Sequence, residues 1–225
     1  MIPREILGTA QIPGQAGAIQ LCRHDRDYTL RVQGVELMTS RMHGSEELLA
    51  ELALARLSSP RTARVLVGGL GMGFTLAKVL SLVGARAEVE VVELVPEVIA
   101  WNREWLGALN GHPLRDARVK ALTGDVVQHI RGAHADYDAV LLDVDNGPVG
   151  LTSDANDRLY DRTGLAAAAV ALRPGGVLAI WSSTSHASFA GLLRSVGYDV
   201  SAERVRARRT KGGYRTIWIA MPSKK

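Results

Sequence analysis

The chain is poor in cysteine, in phenylalanine and in long apolar runs, and each shortage excludes something. Cys22 is the only cysteine among 225 residues. An intrachain disulfide is therefore impossible, and a disulfide-stapled secreted fold is excluded. No apolar stretch approaches the roughly 20 residues that cross a bilayer. Residues 1–5 show no basic run leading into an apolar segment, the mark of a secretory leader. The expectation is a cytoplasmic protein without a membrane span. No His/Cys/Asp/Glu spacing matches a metal site, so none is expected. No Ser-His-Asp arrangement is evident. Internal repeats and low-complexity segments are also missing.

What is present fits one sizeable globular unit with a small appendage, since hydrophobic residues make up 47% of the chain. The formal charge is +4, and Arg204, Arg206, Arg208, Arg209, Lys211 and Arg215 crowd the C-terminal region. Two readings fit them: a basic strand edge and turn that oppose edge pairing, or a patch for an anionic partner. No aromatic residue interleaves with these charges as a stacking surface would require, which disfavours nucleic acid.

Residues 1–42 read as short strands. Tyr28 to Val32 alternates with period two, and Pro13-Gly14 and residues 24–27 read as turns, so a small antiparallel sheet or hairpin is expected. Residues 43–60 read as a linking helix with Ser45 as N-cap and Glu46 and Glu47 at the positive end of the dipole. From residue 61 to 225 strands and helices alternate. Strands are expected at 65–67, 88–93, 118–122, 139–143 and 177–181. Helices are expected at 73–82, 96–109, 125–131, 156–172 and 186–196. A last pair of strands, 198–207 and 214–220, turns at residues 211–213. This pattern predicts an α/β, Rossmann-like fold, a mostly parallel seven-stranded sheet with an antiparallel C-terminal hairpin.

The functional residues cluster at strand ends. An apolar run, Val65 to Val67, leads into Gly69-x-Gly71-x-Gly73 and then a helical pattern, which makes a nucleoside- or phosphate-binding corner. Glycine there permits positive φ and close approach of a ligand to the backbone. Glu93 ends the next strand about 20 residues on, where a carboxylate accepts ribose hydroxyls; Leu94 follows it. Asp125 follows the third strand, with Val126 next to it. It fits a helix cap and equally a receiver of the adenine amino group. Asp143 ends the fourth strand and opens the loop Asp143-Val-Asp145-Asn146-Gly-Pro. Carboxylates there suit a cation or amine, or removal of a proton from a nucleophile; turn chemistry is the other reading of Asp145 and Asn146. Trp181, ending the fifth strand, fits the core or the wall of an acceptor pocket. Asn102 reads as a surface or helix-packing residue.

These motifs resemble the class I S-adenosylmethionine-dependent methyltransferases, and more closely their spermidine synthase (polyamine aminopropyltransferase) branch. The resemblance is carried by residues 69–74, Glu93, Gly124-Asp125, and residues 137–143 followed by Gly-Pro. It implies a donor of S-adenosylmethionine or its decarboxylated form, held by Gly69, Gly71, Met72, Gly73, Glu93, Leu94, Asp125, Val126 and Asp143. It also implies Asp143 as the catalytic residue, Asp145, Asn146 and Trp181 on the acceptor, and a homodimer. Two departures are informative. The family's glycine loop usually carries an aspartate where Met72 stands, and its acceptor loop a carboxylate where Asn146 stands. Losing the loop carboxylate makes the intact donor, which bears its own carboxylate, more acceptable. The expectation is therefore methyl transfer to a small-molecule acceptor, with aminopropyl or aminocarboxypropyl transfer as alternatives. A non-catalytic nucleic-acid-binding protein is the alternative from another class, and a nicotinamide dehydrogenase a third.

Overall fold

A computed structural model describes residues 4–144, 158–208 and 210–223. Strands β1 (Glu5–Gln11), β2 (Ala18–His24), β3 (Asp27–Val32) and β4 (Val35–Thr39) pair antiparallel in sequence order as a four-stranded meander. Helix α1 (Gly44–Leu54) follows. The larger unit contains β5 (Arg64–Gly68), α2 (Phe74–Leu82), β6 (Glu88–Glu93), α3 (Pro96–Glu104), β7 (Val119–Thr123), α4 (Val126–Arg131) and β8 (Tyr137–Leu142). It continues with α5 (Arg162–Ala171), β9 (Leu172–Ser182), α6 (Ala187–Val196), β10 (Tyr198–Arg208) and β11 (Lys211–Pro222). The seven strands lie in the order β10-β11-β9-β8-β5-β6-β7. Five are parallel, while β11 runs antiparallel to both its neighbours. The expected α/β architecture is therefore what the chain adopts.

The chemistry of the strands explains the layering. In β5 every residue after Arg64 is buried, as a central parallel strand covered on both faces must be. One apolar cluster joins the sheet to α1, α2, α3 and the N-terminal meander. The other lies on the opposite face beneath α4, α5 and α6. The meander docks closely: a Cβ on Gly8 would sit 2.5 Å from the Trp101 indole nitrogen of α3. Only glycine lets β1 approach that ring.

Local boundaries differ from the sequence reading in several places, among them the helix expected over 156–172, which is interrupted at Asp161, the N-cap of α5. Ser45 is not the N-cap of α1. His43 holds that position without a side-chain capping bond, stacks on Phe74 and contacts Glu47, while Ser45 Oγ donates to Glu46 Oε2 at 2.6 Å. The helix expected over 96–109 ends at Glu104, and a 3₁₀ turn, Leu106–Leu109, follows. Leu172 already pairs with Tyr137, so residues 173–176 form an irregularity within β9 rather than a linker before it. Residues 211–213 belong to β11 rather than to the turn, because Arg208 pairs with Lys211. That register also sets Tyr214 opposite Arg206. The guanidiniums of Arg204 and Arg206 lie 3.6 and 4.4 Å from its ring centre, so an aromatic residue does interleave with the basic charges.

One carboxylate within the sheet is fully engaged. Glu90 of β6 is 7% exposed and accepts from Tyr137 Oη at 2.5 Å and Lys120 Nζ at 3.3 Å, with His129 Nε2 at 3.1 Å. Burial raises its pKa, but the hydrogen bonds from Tyr137, His129 and Lys120 outweigh burial and hold it down at about 2. A depressed carboxyl stabilises the fold above its unfolded value near 4.5, and that contribution is lost as pH falls toward 2. Tyr137→Phe is expected to cost about 1.5–3 kcal/mol at neutral pH, the worth of a hydrogen bond to a charged group. Urea titration measures this, and the deficit should shrink as the pH drops below 4.5; a pH-independent deficit would mean that packing, not the charged bond, is lost.

Candidate active site

The strand order reverses between β5 and β8: the chain runs outward through β5, β6 and β7, then returns to the other side of β5. At such a switch point the loops diverge and leave a crevice beyond the carboxyl ends of the strands. Gly69 and Asp143 meet there. The Asp143 N–H donates to the Gly68 carbonyl at 2.9 Å, and the Gly69 N–H to the Val92 carbonyl at 2.9 Å. Gly69 has φ +85°, and a Cβ on it would lie 2.4 Å from the Asp143 carbonyl oxygen. Both conformation and space demand glycine.

A cavity of about 260 Å³ opens above this crevice. The parallel strand ends form its floor. Leu30, Leu37 and Met38 of the N-terminal meander contribute the opposite wall, and Ser45 and Glu46 of α1 close one side. Of the residues predicted to hold a nucleoside, Gly69, Gly71, Glu93 and Leu94 line it, as do Asp125 and Val126. The Glu93 carboxylate is fixed by two backbone donors, Leu70 N–H at 2.8 Å and Val95 N–H at 3.0 Å. Asp125 caps α4 by accepting from Val127 N–H at 2.8 Å, as one of its two readings had it, and it also lines the cavity. A Cβ on Gly124 would meet nothing within 4 Å, which leaves the backbone open beside Asp125.

Met72 and Gly73 sit elsewhere. Met72 is fully buried in the apolar core and does not line the cavity; Gly73 backs onto Asn102 and Asn110. The turn sends Leu70 and Met72 into the core, and by Gly73, the left-handed N-cap of α2, the chain has turned away from the cavity. Asn102, read as a surface or packing residue, is 2% exposed and tethers this turn. Its Nδ2 donates to the Gly71 carbonyl at 2.8 Å, and Asn110 Nδ2 donates to the Met72 carbonyl at 2.7 Å. Asp145 and Asn146 lie outside the described residues.

The surroundings of Asp143 are where the sequence reading missed most. Asp143 lines the cavity and accepts from Thr75 Oγ1 at 2.6 Å. Burial pushes its carboxyl up to about 6, against the Thr75 hydrogen bond. Glu46, read only as a helix-dipole partner, is 5% exposed and lines the same cavity. Burial first, then the charge of Asp143, pushes its carboxyl up to about 7, with Ser45 opposing. Two carboxylates near one another in a shielded site resist joint ionisation, so they titrate as a pair. Trp181 lines the cavity as well as joining the core, and the Arg215 guanidinium lies 5.6 Å from its ring centre. The only signal for Glu46 in the sequence was an acidic residue one turn into a helix rich in leucine and alanine. No group of three or more His, Cys, Asp or Glu side chains capable of holding a metal occurs among the described residues.

With this geometry in hand, comparison with known proteins is informative. The profile of the spermine/spermidine synthase domain matches residues 42–188. Putrescine N-methyltransferase 2 of Nicotiana attenuata is 32% identical over 133 residues, which cover 59% of this chain and 33% of that protein. Polyamine aminopropyltransferase 2 of Streptomyces coelicolor is 33% identical over 184 residues, 77% of this chain and 32% of that protein. The match thus spans about a third of the length of these curated relatives. Among solved structures, spermidine synthase from Thermotoga maritima superposes with a TM-score of 0.73 at 17% identity, covering 96% of this chain and 71% of that one. A spermidine synthase in complex with the transition-state analogue AdoDATO gives 0.78 at 18% identity, covering 96% and 73%. These structural likenesses speak to fold alone. The profile match covers well over half of the chain and includes the glycine turn, Glu93, Asp125 and Asp143, and the chain belongs to the spermine/spermidine synthase family.

Proposed function

We propose that this chain is an S-adenosylmethionine-dependent transferase that moves a methyl group to the nitrogen of a small amine. The observation that carries the reading is the Glu46–Asp143 carboxylate pair, set in the same cavity as Glu93 and Asp125. One end of the cavity suits a ribose and an adenine, and the other suits a cationic or nucleophilic nitrogen. When bound, the donor supplies an electrophilic carbon on a sulfonium, with a neutral thioether as leaving group. Asp143 and Glu46 bind the amine and draw it to that carbon. As the nitrogen lone pair forms the new bond, the C–S pair returns to sulfur and the nitrogen's proton passes to Asp143. A carboxyl raised toward neutrality is a better proton acceptor than an ordinary aspartate. The apolar wall from the N-terminal meander excludes water and strengthens these charges.

Methyl rather than aminopropyl transfer is supported by the side chain of Met72, which places no carboxylate beside the glycine turn. The opposing observation is Glu46, whose carboxylate in the same cavity would repel the carboxylate of the intact donor and so favours aminopropyl transfer. The by-product separates them: incubation with S-adenosylmethionine and putrescine should yield S-adenosylhomocysteine by mass spectrometry, whereas methylthioadenosine, from this donor or its decarboxylated form, would overturn the methyl assignment.

Asp143→Asn is expected to lower kcat by roughly 10²-fold or more, the usual worth of a positioned base. Binding of S-adenosylhomocysteine should change by no more than a few-fold, and a variant with full turnover would remove Asp143 from the chemistry.

The raised carboxyls also set a pH dependence. The amine is gripped by ionised carboxylates, so kcat/KM should climb with pH through the region from about 6 to about 7. In Glu46→Gln only one carboxyl is left to titrate and its repulsive neighbour is gone, so the limb should contract to a single step at lower pH. An unaltered limb would show that this pair does not control the rate.

A further inference from the structure

We propose that the acceptor carries a carboxylate as well as an amine, and that Arg215 is the residue that selects it. This refines the transferase reading above by naming the acceptor class: an amino acid with a terminal amine, rather than a plain diamine. Arg215 is the only cationic side chain among the described residues that line the cavity. It is half-buried and forms no ion pair with another described residue. Its guanidinium donates to the Tyr214 carbonyl at 3.0 Å and lies by the face of Trp181. Its charge reaches Glu46, whose ionisation it favours, without making a contact pair with it.

Sheet order fixes which end of the ligand Arg215 faces. The predicted nucleoside positions follow β5, β6 and β7, whereas Arg215 belongs to β11, on the far side of β8 and β9. Neighbouring strands lie about 4.8 Å apart, which puts β11 roughly 19 Å from β6 but only about 10 Å from β8, which leads into Asp143. Arg215 therefore stands beyond Asp143 as seen from the donor, in the acceptor's half of the cavity. A diamine with one nitrogen between Glu46 and Asp143 would direct its second ammonium into the region of a guanidinium. A carboxylate in that place gains a charge-assisted, potentially bidentate partner. The indole N–H of Trp181, on the same wall, is a buried donor without a partner.

Ornithine and putrescine provide the test, since they differ by one carboxylate. Calorimetric titration of the protein saturated with S-adenosylhomocysteine should show ornithine binding at least 10-fold more tightly than putrescine. Arg215→Met should abolish that preference, Arg215→Lys should keep most of it, and both variants should retain wild-type affinity for S-adenosylhomocysteine. Putrescine binding as tightly as ornithine in the wild type, or an unchanged ratio in Arg215→Met, overturns the proposal. Loss of S-adenosylhomocysteine binding in Arg215→Met with an unchanged ratio also overturns it, by assigning Arg215 to the donor's carboxylate. If the wild type binds neither S-adenosylhomocysteine nor methylthioadenosine, the transferase reading falls, and the ornithine-to-putrescine ratio is then read on the free protein by the same criteria.

Discussion

The close approach of two strand ends is the constraint on which the site depends. Gly69 lies so near the Asp143 carbonyl that no side chain fits between them, and its left-handed backbone is one that other residues adopt only with strain. This contact lets the loops after β5 and β8 share one crevice. The glycine turn is held from behind by Asn102 and Asn110, and Glu93 is held from the side by the amides of Leu70 and Val95. Asp143 is brought beside the N-terminal turn of α2, where Thr75 meets it. The positions of all these groups follow from backbone geometry that only a glycine permits.

Two kinds of buried carboxylate show how the molecule divides its electrostatics. Glu90 has three hydrogen-bonding neighbours and an acid strength well above normal, as a structural carboxylate should. Glu46 and Asp143 receive one side-chain hydroxyl each, from Ser45 and Thr75, and both are pushed the other way. A carboxyl raised above its unfolded value favours folding when protonated, and that contribution fades as pH rises through its folded value. The pair therefore costs stability near neutrality, where Glu90 contributes it. Strained electrostatics of this kind mark a site organised for a ligand rather than for the fold.

The strand-end side of the cavity was legible in the sequence because parallel α/β sheets place ligands at strand ends. Glu93, Asp125 and Asp143 could be located by counting from apolar runs. The rest of the lining was not, because its residues come from elements whose relation to the crevice is purely tertiary. Glu46 looked like an ordinary first-turn acid, and nothing local says that α1 buries that face beside Asp143. Arg215 sat in a basic run, and none of the run's other described members lines the cavity. Met72 was conspicuous in the sequence, yet its side chain belongs to the core, so its significance is the charge it lacks. The N-terminal region was correctly read as β-structure, but its use as a cavity wall depends on Gly8 meeting Trp101, a contact between residues 93 positions apart.

The wall built by the N-terminal meander has an evolutionary consequence. Gly69, Glu93, Asp125 and Asp143 line the cavity from the ends of the parallel strands, where backbone geometry is also a fold determinant. Leu30, Leu37, Met38, Glu46 and Arg215 line it from the meander, α1 and the terminal hairpin, outside the parallel strands. Substitutions there change the lining of the cavity while the strand ends keep their places. A scaffold built in this way can alter what its cavity admits without disturbing its floor.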